Sequence, residues 1–204
     1  MLEFGEIFIL FFVTLGPLKL LGPFCQETRD LTPGALRGIA FRVFGVGLAA
    51  VVIGGYLGTA LATKWHISIP AIELTAGLIL FLVAIRLVLA AYEPLPAPPP
   101  PLPAAPMAAA LRLTFPLVVT PYGIAALIAL LTWTTDVHED LAIYAVLVIV
   151  MVLNLLAMLY VREIMRGVLL LVLQVFGAVL GVLQVGLAVQ IIIRGLRHLG
   201  VLSG

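Results

Sequence analysis

Six stretches of mostly apolar residues, 5–24, 39–62, 69–91, 113–134, 141–161 and 168–193, occupy most of this chain. Each has the ~20 residues that a helix needs to cross the hydrocarbon of a bilayer. In lipid every backbone N–H and C=O must find its partner inside the protein, so stretches of this kind fold as helices. The composition agrees. Of 204 residues, 63% are hydrophobic and 10% charged, against roughly 45–50% and about 25% in soluble domains. A soluble enzyme is excluded, and a net charge of +1 offers no basic surface for nucleic acid. The lone Cys25 excludes an internal disulfide and a cysteine-based zinc cage. The last stretch exceeds what the hydrocarbon requires and predicts a tilted or extended helix.

Lys and Arg accumulate on the cytoplasmic side of membrane proteins. One side of the expected arrangement holds Arg29, Arg37, Arg42, Arg86, Arg112, Arg162 and Arg166. The other holds Lys64, Arg194 and Arg197, together with an acidic loop at Asp136, Glu139 and Asp140. The bias predicts a multi-pass membrane protein with both termini outside. Glu3 and Glu6 stand where a signal peptide would carry basic residues, so no cleavable signal is expected.

Eight of the 14 prolines lie between Glu93 and Pro106. A run so poor in backbone donors reads as a semi-rigid polyproline spacer. It divides the chain into a first three-helix half (1–92), a cytoplasmic linker (93–111) and a second three-helix half (112–204). Three spans per half force opposite orientations, the arrangement of inverted-repeat transporters. Val13-Thr14-Leu15-Gly16-Pro17 has its counterpart in Val118-Val119-Thr120-Pro121, with the prolines 104 positions apart, and Arg86 and Gln190 stand at the same offset. The expected fold is all-α, six transmembrane helices in a 3+3 inverted repeat.

Proline inside a helix removes a backbone hydrogen bond and frees a carbonyl. In lipid such a break survives where it is buried in protein or lines a cavity. Gly16-Pro17 and Gly22-Pro23 interrupt the first span, and Pro116 and Pro121-Tyr122-Gly123 interrupt the fourth. Matched interruptions of this kind point to a substrate site. Two charges also fall within spans, Lys19 between the two Gly-Pro breaks and Glu73 after Pro70. Intramembrane ionisable groups are costly and mark functional sites by default. The candidate substrate-binding set is therefore Thr14, Gly16, Pro17, Lys19, Glu73, Thr120, Pro121 and Tyr122. Lys19 is the candidate anchor for a substrate carboxylate, and Glu73 the candidate proton carrier. Straight helices would separate the two by more than ~10 Å in depth, so their contact would require broken backbone.

Asn154, Gln184 and Gln190 read as interhelical glue. Gly45, Gly47, Gly54, Gly55, Gly58, Gly177 and Gly181 read as close-packing positions. His66, His138 and His198 fall in outer loops without metal-binding spacing, and no catalytic constellation, metal site or cofactor is expected.

His66-Ile67-Ser68-Ile69-Pro70-Ala71 and the apolar run Ala76-Gly77 to Arg86 are similar to a Gly-Ile-Ser-Leu-Pro run followed by a Gly-Gly helix ending in Arg. Ala188-Val189-Gln190 with Gly195, and Pro116-Leu117 followed by Pro121, continue the likeness. The chain resembles the MarC-related family of six-helix bacterial integral membrane proteins. That family takes in SnatA-like neutral amino-acid transporters within a wider LysE-like exporter group. The resemblance implies the same fold and transport of a neutral amino acid or a related carboxylate-bearing metabolite. The departures fall in the candidate site. Gly16-Pro17-Leu18-Lys19-Leu20 replaces the family's Asp-Pro-x-Gly-Asn, Glu73 stands where the family tends to carry Arg, and Thr120-Pro121-Tyr122 replaces Gly-Pro-Gly. An acid and a base have become a base and an acid.

The expected function is secondary transport or export of a small solute. The expected partners are that solute, the lipid bilayer and further copies of the chain. A membrane scaffold using the proline-rich linker as its contact is the alternative. A passive channel would need a continuous polar lining, which is missing.

Overall fold

A computed structural model describes residues 4–89, 102–103, 105–134, 136–166 and 168–201. Most of the proline-rich linker lies outside the described residues. Among the described residues the regular elements are all helical: α1 (Phe4–Leu15), α2 (Leu18–Glu27), α3 (Pro33–Lys64), α4 (Ile69–Leu89), α5 (Pro106–Leu113), a π turn (Thr114–Val118), α6 (Pro121–Trp133), α7 (Val137–Leu159), α8 (Val161–Ile164) and α9 (Val168–His198). Among the described residues four stretches are long and apolar enough to cross a membrane: Ile7–Glu27, Pro33–Lys64, Ile69–Arg86 and Val137–Leu159. The first of them comprises α1 and α2 with the break between, and α6 is apolar but shorter, at 13 residues.

Large apolar side chains cover the outside as well as the core. Phe41, Ile53, Tyr56 and Leu57 on α3, with Leu78 and Leu82 on α4, are exposed. Helices apolar all round are what a lipid solvent selects. Inside, Phe11, Leu15, Leu20 and Phe24 of α1 and α2 meet Leu127 and Leu130 of α6 and Leu147, Met151 and Met158 of α7 in one continuous core.

Small residues set the closest approaches. On α3, Gly47 faces Met151 and Val118, Gly54 faces Ile124, Gly55 faces Leu127 and Gly58 faces Ile128. Any side chain at Gly55 would meet Leu127 Cγ at 3.0 Å. Gly45 faces open space instead. The surroundings of Gly177 lie outside the described residues. Along the α4–α9 pair, Gly77 lies against Ile192 and Gly195 against Leu74, so the two helices run antiparallel.

Polar ends extend the helices past the apolar stretches. Asp136 is the N-cap of α7, accepting from His138 N at 3.2 Å, and Glu139 and Asp140 occupy its first turn. The expected acidic loop is thus a helix start, where carboxylates favour the positive end of the dipole. Likewise α9 runs to His198, five residues beyond the apolar stretch. Charge ends a hydropathy window, but Arg and Leu are good helix formers, and Gly195 keeps the last turns pressed against α4. His198 therefore closes a helix instead of lying in a loop. At the end of the bundle formed by α2, α5 and α8, Arg112 pairs with Glu27 at 2.6 Å. Arg162 there donates to the carbonyls of Thr28, Arg29 and Leu31 at 3.3, 3.4 and 2.5 Å.

Candidate functional site

The first interruption lies where Gly16-Pro17 separates α1 from α2. In a continuous helix the carbonyls of Thr14 and Leu15 would accept from the N–H groups of Leu18 and Lys19. Here α2 starts afresh, with Leu20 N and Leu21 N both bonded to Pro17 O at 3.0 and 3.1 Å. Gly16 is required by close approach, since a Cβ there would run into the Phe12 carbonyl. The second interruption follows the π turn, which Val119 N closes onto Thr114 O at 2.9 Å. Extended backbone at Val119 and Thr120 then leads into α6. Thr120 caps α6, accepting from Gly123 N at 3.2 Å, and Pro121 occupies its first position, where a missing N–H costs nothing.

The two interruptions cross. A Cβ at Gly123 would lie 2.7 Å from Leu15 Cγ and 2.9 Å from Thr120 Oγ1. Side chains from the far half of the chain take up the freed carbonyls. Thr120 Oγ1 donates to Thr14 O at 3.3 Å, and Asn154 Nδ2 of α7 donates to Leu15 O at 2.6 Å. Lys19, in the first turn of α2, returns its Nζ to Thr14 O and reaches Tyr122 OH at 2.8 Å and Thr120 Oγ1 at 3.5 Å. Three oxygens thus face the three N–H donors of the ammonium. Thr14 Oγ1 turns back to Leu10 O at 2.7 Å, so Thr14 contributes to the crossing through its carbonyl.

Glu73 belongs to a different place. It is fully buried on α4, and its Oε2 lies 2.9 Å from Nδ1 of His198, whose own side chain is half exposed. This pair lines a cavity of about 890 Å³ between the start of α1, the start of α4, the end of α6, the start of α7 and the end of α9. Trp133, Arg194 and Glu139 share the wall, with the Arg194 guanidinium 5.2 Å from the Trp133 ring centroid. Glu73 Oε1 and Trp133 Nε1 are buried without a hydrogen-bond partner.

Of the expected residues, Thr14, Gly16, Pro17, Lys19, Thr120, Pro121 and Tyr122 therefore come together at the crossing. Glu73 pairs with His198 and not with Lys19. Asn154 and His198 are the residues that sequence reasoning misses. Asn154 reads as glue between helices, which it is, but the group it binds is the broken backbone itself. His198 hides behind the end of an apolar stretch. Among the described residues no cluster of three His, Cys, Asp or Glu could hold a metal ion.

A sequence profile described as MarC family integral membrane protein matches residues 1–199. No curated protein and no solved structure matches the chain.

Proposed function

The chain belongs to the MarC family of integral membrane proteins, and from that premise we propose that it is a secondary transporter of a small solute. The cargo class is a neutral amino acid or a related carboxylate-bearing metabolite. Its six crossings form a 3+3 inverted repeat in a bacterial inner membrane, with both termini on the outer face.

One observation carries this reading. Two helices are interrupted at prolines 104 positions apart, and the interruptions cross at Leu15 and Gly123. Irregular backbone within a bundle is stable only where protein satisfies it or a cavity receives it, and transporters use such discontinuous helices for their sites. A separate cavity beside Glu73 lies at one end of the bundle. Its buried carboxylate, bonded to a half-exposed imidazole, offers a proton a path from water into the protein.

The test is flux into proteoliposomes under an imposed proton gradient, with a panel of neutral amino acids and small carboxylates. Gradient-driven uptake of at least one member is expected, reduced at least about tenfold in Lys19→Met and Glu73→Gln, the loss that ~1.4 kcal/mol produces. Absence of flux for the whole panel, or wild-type rates in both variants, would overturn the reading.

A further inference from the structure

Lys19 stands at the crossing without a carboxylate beside it. The ion pairs among the described residues join Arg112 to Glu27 and His198 to Glu73, and neither includes this ammonium. Its surroundings are oxygen and aromatic: the Thr14 carbonyl, Tyr122 OH at 2.8 Å, Thr120 Oγ1 at 3.5 Å and the Tyr122 ring, whose centroid is 4.5 Å away. These are neutral dipoles. The Thr14 carbonyl belongs to the last turn of α1, the negative end of that helix, and an aromatic face attracts a cation. Three oxygens match the three N–H donors of a primary ammonium. They come from both halves of the chain, so the ammonium joins the two breaks.

We propose that the crossing is a binding site for a primary ammonium whose resident ligand is the chain's own Lys19. The side chain is a tethered cation that closes the two interrupted helices onto each other without a dissociable ion. This holds whichever solute is carried. Shortening the tether should turn the site into one for a free ammonium. Lys19→Ala lacks three carbons and the nitrogen of the lysine side chain, and propylammonium is that missing piece.

The melting temperature of the full chain in detergent reads this directly. Wild type, Lys19→Ala and Lys19→Met are compared in propylammonium, potassium and choline chlorides at equal ionic strength. Propylammonium should raise Lys19→Ala saturably by about 4 °C, the shift expected for regaining charge-assisted hydrogen bonds in a chain of this size. Neither wild type nor Lys19→Met, whose apolar side chain fills the path, should respond beyond the choline control. An equal rise with potassium, or no selective rise at all, would overturn the proposal.

A second measurement uses the folded wild type and needs no truncation of Lys19. The chain has two lysines, Lys19 and the exposed Lys64, so acetylation followed by mass spectrometry reports each separately. Tyr122→Phe and Thr120→Val should speed acetylation of Lys19 about tenfold, as loss of a hydrogen bond to a charged group of ~1.5 kcal/mol would, and leave Lys64 unchanged. An unchanged Lys19 rate in both variants would overturn the proposal. Neither measurement involves flux, so failure here and failure of the transport reading are distinguishable.

Discussion

Asn154 and Leu15, 139 residues apart, are joined by a 2.6 Å hydrogen bond from the carboxamide nitrogen to the backbone carbonyl. Both residues are buried, and the carbonyl is one that the Gly16-Pro17 break deprives of its helical partner. A polar contact between two distant helices is thereby spent on repairing backbone. Removing it leaves a carbonyl in an apolar interior. Asn154→Leu, close in volume but without a donor, should destabilise the protein by about 1–3 kcal/mol, the cost of a buried unsatisfied polar group. Unfolding in detergent against wild type checks this, and a loss below a few tenths of a kcal/mol would mean that water reaches Leu15 O.

The crossing itself depends on the missing side chain at Gly123. Gly123→Ala would push Cβ against Leu15, whose Cγ lies 2.7 Å from that position, and against Thr120 Oγ1 at 2.9 Å. Overpacking of this kind typically costs about 1–3 kcal/mol. The neighbour at issue is a side chain, so relief is available. Leu15→Ala destabilises alone by opening a cavity, but combined with Gly123→Ala it should cost less than the sum of the two. Residues in contact depart from additivity by about 0.5–3 kcal/mol. Additive effects in a double-mutant cycle would show that the two breaks do not press on each other there.

The helices and both breaks are legible in the chain because lipid leaves few choices. An apolar run of sufficient length must be helical, and Gly16-Pro17 and Pro121 interrupt theirs, whereas the expected break at Gly22-Pro23 is absent because α2 runs through Pro23 as one helix. The carbonyl that Thr120 reaches, Thr14 O, lies 106 residues away and is not legible from its neighbours. Legibility ends where partners come from elsewhere in the fold. Lys19 reads as an anchor for an external anion because its sequence neighbours include no acceptor, yet Tyr122, 103 residues away, provides one. Glu73 reads as a proton carrier whose contact with Lys19 would require broken backbone. The antiparallel α4–α9 pairing gives Glu73 to His198 instead. Hydropathy marks where lipid ends, and α9 continues past that point.

His66 carries a cost that its sequence context discloses only beside the family pattern. It follows α3 with φ +54°, in the left-handed region, and Ile67 N bonds back to Ala62 O at 3.0 Å. This is the helix-ending turn that glycine normally occupies, and the related motif has Gly at this place. A residue with a Cβ pays roughly 1–2 kcal/mol there. His66→Gly, at an exposed position, should therefore stabilise the protein by about 0.5–1 kcal/mol after the extra entropy of glycine in the unfolded chain is subtracted. A small upward shift in melting temperature is the expected reading. A downward shift would mean that the imidazole contributes something at the surface that the backbone strain conceals.

Glu73 and His198 form the pair most sensitive to removal of one member. Glu73 is fully buried, and its Oε1 is already without a partner, so its Oε2 relies on the imidazole. His198→Ala strands a carboxylate in the protein interior. The expected loss is about 1–3 kcal/mol, the desolvation cost of a buried polar group left unpaired, and the half-exposed position of the imidazole argues for the lower part of that range. Glu73→Gln keeps the shape and removes the charge, so a missing partner then matters less. Adding His198→Ala to Glu73→Gln should accordingly cost less than adding it to wild type, because the penalty for breaking an ion pair lies mostly in the charge left behind. Unfolding of the four proteins in detergent measures the difference. Equal cost in both backgrounds would mean that water or a neighbouring group, and not His198, keeps the Glu73 carboxylate solvated.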